Sequence, residues 1–282
     1  MSLSAVSSWT LSFLIAFSAP PTGRAEAGSL GDDQKSRHSC EETCSSALEL
    51  TPHMKAWVRR AVPTDAGPEY RLRRLFEMLI RRDGLNLKQD SAHTATAAEA
   101  FDTRRANCAA FAFLFVALSR DGGIPAYFVS PRRNERTRRY GGTRHTERHL
   151  AAAYGPPSKP TVVDFGGFAK GHLGEFIFVS DQTAASIFCS NRGVEELLAG
   201  NADAALGWLH AAVQTDGSPA FSWVNLGVAL RRTGDFDGAE RAYLRALGMS
   251  PGLMAARNSL AYLNETRRQS TVGKAPSQPD VR

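Results

Sequence analysis

Cysteine is scarce in this chain, with four in 282 residues. Four scattered thiols are too few for a zinc ribbon or for the disulfide framework that holds small secreted domains together. A chain of this length buries enough apolar surface to need neither. No apolar run approaches the length of a membrane span; Leu11 to Phe17, the run near the N-terminus, is far too short, and no transmembrane helix is expected. No group of histidines and carboxylates has metal-ligand spacing, so neither a metal nor a cofactor is expected. Surplus charge is missing from most of the chain as well. The net charge is +6, and seven arginines against two glutamates between Pro131 and Arg148 supply five of it. A nucleic-acid binder would spread its basic residues over a face interleaved with aromatics, so nucleic acid is not an expected partner. The segment from Arg132 to Glu147 reads as a solvated, arginine-rich loop, with attraction of an acidic substrate or an anionic envelope surface as the alternative.

The N-terminus has the outline of an export signal. Leu11 to Phe17 is apolar, and Ala25-Glu26-Ala27 follows as an A-x-A cleavage pattern, although no Lys or Arg precedes the run. A periplasmic or secreted location follows from that reading; a cytoplasmic one follows if residues 1–27 are only a tail. Residues 28–49 read as a polar linker. Within it Cys40 and Cys44 are four apart and share a face of any helix. They are either two partly buried small residues or a local disulfide.

Beyond Pro52 the periodicity gives helices over Met54 to Val62 and Tyr70 to Arg82, the second with a stripe of Leu72, Leu75, Phe76 and Leu79. Thr96 and Glu99 form a capping-box signature. Asn107 stands as the N-cap of a run from Cys108 to Leu118 that is apolar nearly all round and must be buried. Ile124 to Val129, His149 to Tyr154 and Thr161 to Phe165 read as strands, the last two joined by a proline-rich turn.

From Ser190 the texture changes to helices with a period of 34. Gly193 and Gly227, Ala205 and Ala239, and Ala212 and Ala246 are spaced so. Trp223, Leu226, Gly227, Leu230, Ala239, Tyr243, Ala246 and Pro251 fill the tetratricopeptide pattern at eight positions. The preceding copy departs from it at Glu196 and Gly217. Leu253 to Leu263 reads as a capping helix, and Cys189 as a packing residue of the first repeat.

Chemistry centres on Cys108. A thiol in the first turn of a buried helix meets unpaired backbone N–H groups and the positive end of the helix dipole, which favour the thiolate. It still needs a base and a group to orient that base. His149 and Asp164 are of the right types. If Tyr154 pairs with Thr161 across the turn, Asp164 falls opposite Ala151 and shares a face with His149; a slip of one residue would separate them. His145 competes as base but sits in the arginine-rich loop, and His172 reads as a surface residue. The Cys108 backbone N–H is the natural first oxyanion donor.

These residues carry a resemblance. Thr94 to Phe101, Asn107-Cys108 with Phe111 and Ala112, and Gly123-Ile124-Pro125-Ala126 with the strand after it resemble the core of the transglutaminase-like superfamily. Ala106 departs from the glycine usual two residues before the cysteine. The resemblance implies an α+β fold: a papain-like, transglutaminase-like core with its buried cysteine helix packed on an antiparallel sheet, followed by an α-helical repeat array. The expected boundaries are 1–27 for the signal peptide, 28–49 for the linker, 50–185 for the cysteine domain, 186–266 for two repeats and a capping helix, and 267–282 for a disordered tail. It also implies a Cys108–His149–Asp164 triad that acts on a protein or peptide amide through a thioester, by hydrolysis more than by cross-linking. The repeats would bind a protein partner. The rival reading is a non-catalytic scaffold that keeps the same core and repeat surface.

Overall fold

The computed structural model of the chain describes residues 39–90, 93–131, 135–140, 143–148, 150–165, 167–170 and 176–272. It opens on a short helix α1 (39–45), followed by α2 (Pro52–Ala61) and α3 (Pro68–Ile80). Thr51 caps α2 by accepting the Met54 N–H at 3.3 Å, with Pro52 behind it where a missing N–H costs nothing. β1 (Lys88–Gln89) precedes α4 (Ala97–Thr103), and β2 (Arg105–Ala106) pairs with β1 in parallel. The capping box at α4 is complete: Thr96 Oγ1 accepts from the Glu99 N–H at 3.1 Å, and Glu99 Oε2 accepts from the Thr96 N–H at 2.8 Å.

Helix α5 (Cys108–Asp121) is the centre of the domain, with every residue from Ala109 to Ser119 buried. One side meets α2, α3 and α4 and the other meets β3 (Ala126–Pro131), β6 (Ala151–Tyr154) and β7 (Thr161–Asp164). With β8 (Gly167–Lys170) and β9 (Phe176–Val179) these strands make a five-stranded sheet in the order β8-β7-β6-β3-β9, antiparallel throughout. Phe128, Ala152 and Val163 face the α5 core, while Val129, Ala151, Ala153 and Val162 form a smaller cluster on the other face.

The remaining helices are α6 (Asp181–Ala199), α7 (Ala202–Thr215), α8 (Ala220–Arg232), α9 (Phe236–Met249) and α10 (Met254–Val272). The 34-residue period has a direct physical cause. A methyl placed on Gly193 would stand 2.5 Å from Leu209 Cγ, and one on Gly227 would enter the ring of the fully buried Tyr243. Sixteen residues separate each glycine from the side chain that fills its place, so the two helix pairs close on the same contact.

Several expectations need correction. Residues 39–48 are not linker: Cys40, Cys44 and Ala47 are buried in the domain core. Cys44 pairs with Cys189 on α6 at a Cα–Cα distance of 5.9 Å, so neither a Cys40–Cys44 bridge nor a merely packed Cys189 holds. A local pairing rule could not find a partner 145 residues away. The arginine-rich loop is an antiparallel hairpin of β4 (Glu135–Tyr140) and β5 (Thr143–Arg148). Its threonines and Tyr140 supply β-propensity that the charge density hid. The first repeat helix starts at Asp181, not 186, because Ser180 caps it by accepting the Thr183 N–H at 3.0 Å. The tail boundary at 267 also moves. Arg267 binds Asp237 at 2.5 Å and Glu240 at 2.6 Å, which ties α10 to α9 while the helix runs on to Val272. Residues 1–38, and the export signal with them, lie outside the described residues, as does His172.

A peptide map run without reductant is expected to show Cys44 joined to Cys189 and Cys40 unlinked; a Cys40–Cys44 fragment would refute the pairing. Cys44→Ser is expected to cost about 2–4 kcal/mol in denaturant unfolding. The glycines separate by sign. Gly227→Ala is expected to lose about 1–3 kcal/mol against Tyr243, whereas Gly248→Ala, with nothing within 4 Å of the added methyl, is expected to gain about 0.5 kcal/mol of helix propensity.

Candidate active site at the start of the buried helix

Cys108 is the first residue of α5, partly exposed and in no disulfide. Asn107 caps the helix: its Oδ1 accepts the Ala110 N–H at 2.9 Å. That amide is itself fixed. Asn107 Nδ2 donates to Thr94 Oγ1 at 2.7 Å, and Thr94 donates both its backbone N–H, at 2.7 Å, and its hydroxyl, at 2.6 Å, to Glu195 Oε1 on α6. Thr94 is buried, and its hydroxyl donates to the acid while accepting from the amide, so the relay has one direction and the Asn107 oxygen must face the helix. Arg192, one turn before Glu195, donates to the Thr94 carbonyl at 3.2 Å and to His93 Nε2 at 2.5 Å. Burial, with the Arg192 guanidinium beside it, lowers the His93 pKa.

Ala106, where the usual glycine is missing, is fully buried in β2 and accepts the Asp90 N–H at 2.9 Å through its carbonyl. Its methyl is therefore part of the core. At the opposite end of α5, Arg120 clamps Asp181 at 2.5 and 2.9 Å and the Ala126 carbonyl at 2.8 Å.

The sheet brings Asp164 to the same end of α5 as Cys108. Tyr154 pairs with Thr161, Ala153 with Val162 and Ala152 with Val163, the pairing expected across the proline-rich turn. One step further along, Asp164 at the end of β7 falls opposite Ala151 at the start of β6. The ring of Phe165, next after Asp164, lies 4.7 Å from Phe111 in the first turn of α5. Alternation puts Asp164 with Ala151 and Val162, on the sheet face away from the body of α5. Any approach to the sulfur therefore runs around the strand ends and not through the sheet.

His149 lies outside the described residues; its chain neighbours are Arg148, the last residue of β5, and the buried Leu150. His145 is on strand β5 opposite Arg138, so the loop position argued against it does not hold. What counts against His145 is that β5 belongs to a separate two-stranded sheet. Thr94 was visible as part of a motif, but nothing in the sequence signalled Glu195, 101 residues away. Among the described residues no group of three or more His, Cys, Asp or Glu could hold a metal ion, and no helix is long and apolar enough to cross a membrane.

Comparison with curated proteins finds no match. Among solved structures, the Sgt2 TPR domain from Aspergillus fumigatus aligns with 36% of this chain and 74% of its own at 22% identity, with a TM-score of 0.32. The Tetratricopeptide repeat profile matches residues 220–253, which span α8 and α9. The Transglutaminase-like superfamily profile matches residues 55–159, a span that contains Cys108 and His149 and stops short of Asp164. The chain thus carries a transglutaminase-like domain followed by helical tetratricopeptide-type repeats.

Proposed function

We propose that the chain is a cysteine-dependent acyl-transfer enzyme that acts on protein or peptide amides, with its repeats engaging a protein partner. The observation that carries this reading is the meeting of Phe165, next after Asp164 at the end of β7, with Phe111 in the first turn of α5 behind Cys108.

In this mechanism His149 takes the thiol proton as the Cys108 sulfur attacks the amide carbonyl. The oxygen that gains charge is met by the Cys108 backbone N–H at the start of the helix. The C–N bond then breaks, His149 returns the proton to the departing amine, and a thioester remains on Cys108. Water, deprotonated by the same imidazole, attacks the thioester and regenerates the thiol. Asp164 orients the imidazole through its second nitrogen. The Glu195–Thr94–Asn107 relay keeps the capped first turn in place under the sulfur. Hydrolysis is preferred to cross-linking on the strength of the superfamily resemblance. The buried Cys44–Cys189 disulfide supports residence in an oxidising compartment, in keeping with removal of residues 1–27 on export.

Alkylation tests the nucleophile directly. Iodoacetamide at pH 6.5 is expected to label Cys108 well ahead of Cys40, whose thiol pKa burial pushes up so that thiolate is scarcer there. Equal, slow labelling of both would leave the scaffold reading standing. Cys108→Ala is expected to abolish hydrolysis of a peptide amide, and His149→Ala to lower kcat by about 10²–10⁴-fold with the fold intact. Asn107→Ala is expected to cost about 1 kcal/mol of stability. Glu195→Gln is expected to slow Cys108 alkylation at pH 6.5 more than at pH 9, because the relay acts on the thiolate fraction; a uniform slowing at both would assign Glu195 to folding alone.

A further inference from the structure

The repeats present two faces. Helices α6, α8 and α10 are alternate members of the array, and α8 touches both of the others, so the three form one continuous layer. Such a face is where a repeat array offers extended contact to other polypeptide. Here it is already in contact. Strand β5 lies against α6, α8 and α10, all three members of that layer.

The junction of α6 and α8 is closed to water. Ser190 of α6 and Ser222 and Asn225 of α8 are polar residues with no exposed surface. Asn225 Nδ2 donates to Ser190 Oγ at 3.0 Å, and Ser222 Oγ is buried with no hydrogen-bond partner among the described residues.

The hairpin has its own reason to need the face. It is no part of the five-stranded sheet. A two-stranded hairpin alone is marginal in water. Its order must come from what it lies on.

We propose that the α6–α8–α10 face is a receptor for an extended strand pair, that the β4–β5 hairpin is its resident ligand, and that a protein partner reaches this face by displacing the hairpin. Because β5 ends at Arg148, directly before His149, displacement releases one side of the chain that enters β6. That consequence rests on the catalytic reading above; the occupancy of the face does not.

The test uses the full chain and a variant in which residues 135–148 are replaced by a Gly/Ser linker of equal length. The probe is a fluorescent peptide of residues 132–149. The variant is expected to bind it at micromolar concentration and the wild-type chain at least about tenfold more weakly, since a face filled nine-tenths of the time lowers apparent affinity tenfold. A folded variant that fails to bind, or equal binding by both chains, overturns the proposal. Should the variant not fold, hydrogen exchange on the wild-type chain decides. Amides of residues 135–140 and 143–148 are expected to exchange at least about tenfold more slowly than in the free peptide; equal rates overturn it. Cys108 alkylation, measured on both chains with and without peptide, reports separately on the link to the active site.

Discussion

The transglutaminase-like domain and the repeats are joined where α6 meets α5. The two helices run in opposite directions over similar lengths: fourteen steps from Asp181 to Glu195 and thirteen from Asn107 to Arg120, about 20 Å each. Arg120 meets Asp181 at one end, the Asn107–Thr94–Glu195 relay closes the other, and the Cys44–Cys189 bridge fastens α1 across α6 between them. The ion pair is about half exposed and contributes little by itself, on the order of 0.2–1 kcal/mol. The burial of Phe113 against Phe188, with ring centroids 5.6 Å apart, weighs more, at about 1.5–3 kcal/mol per ring. Packing therefore holds the helices together, and the polar ends fix how far one slides along the other.

Such a division of labour suits a nucleophile at a helix start. The thiolate is favoured only while the first turn is intact and its N–H groups stay aimed outward. Asn107 does this locally, and it is oriented through Thr94 by Glu195 of α6. The same helix then carries the core onward: Phe128, Phe113, Phe188 and Trp208 touch in series, and the core that begins beneath the sheet includes Ala211, Ala212 and Phe221 of the repeats.

How much of this could be read from the sequence depends on the range over which each feature is decided. The Thr96–Glu99 box, the Asn107 cap and the buried run behind it are settled within one turn, and all stand as expected. The glycine spacing of the repeats and the Tyr154–Thr161 register are settled within one supersecondary unit, and they were legible too. Contacts between distant segments were not. Cys44 gives no local sign of Cys189, Thr94 gives none of Glu195, and the linker reading failed because the burial of Cys40 and Cys44 is created by α6. The hairpin was missed for another reason: arginines dominate its composition, while its strand order comes from the helices beneath it.

One consequence concerns where this protein can be cut. The boundary suggested by motif alone falls between the transglutaminase-like domain and the repeats, yet α6 belongs to both. A chain ended before Asp181 would lose the wall behind Phe113, the acid behind Thr94 and the sulfur opposite Cys44 in a single stroke. Any graft of either half onto another protein must carry that shared helix with it.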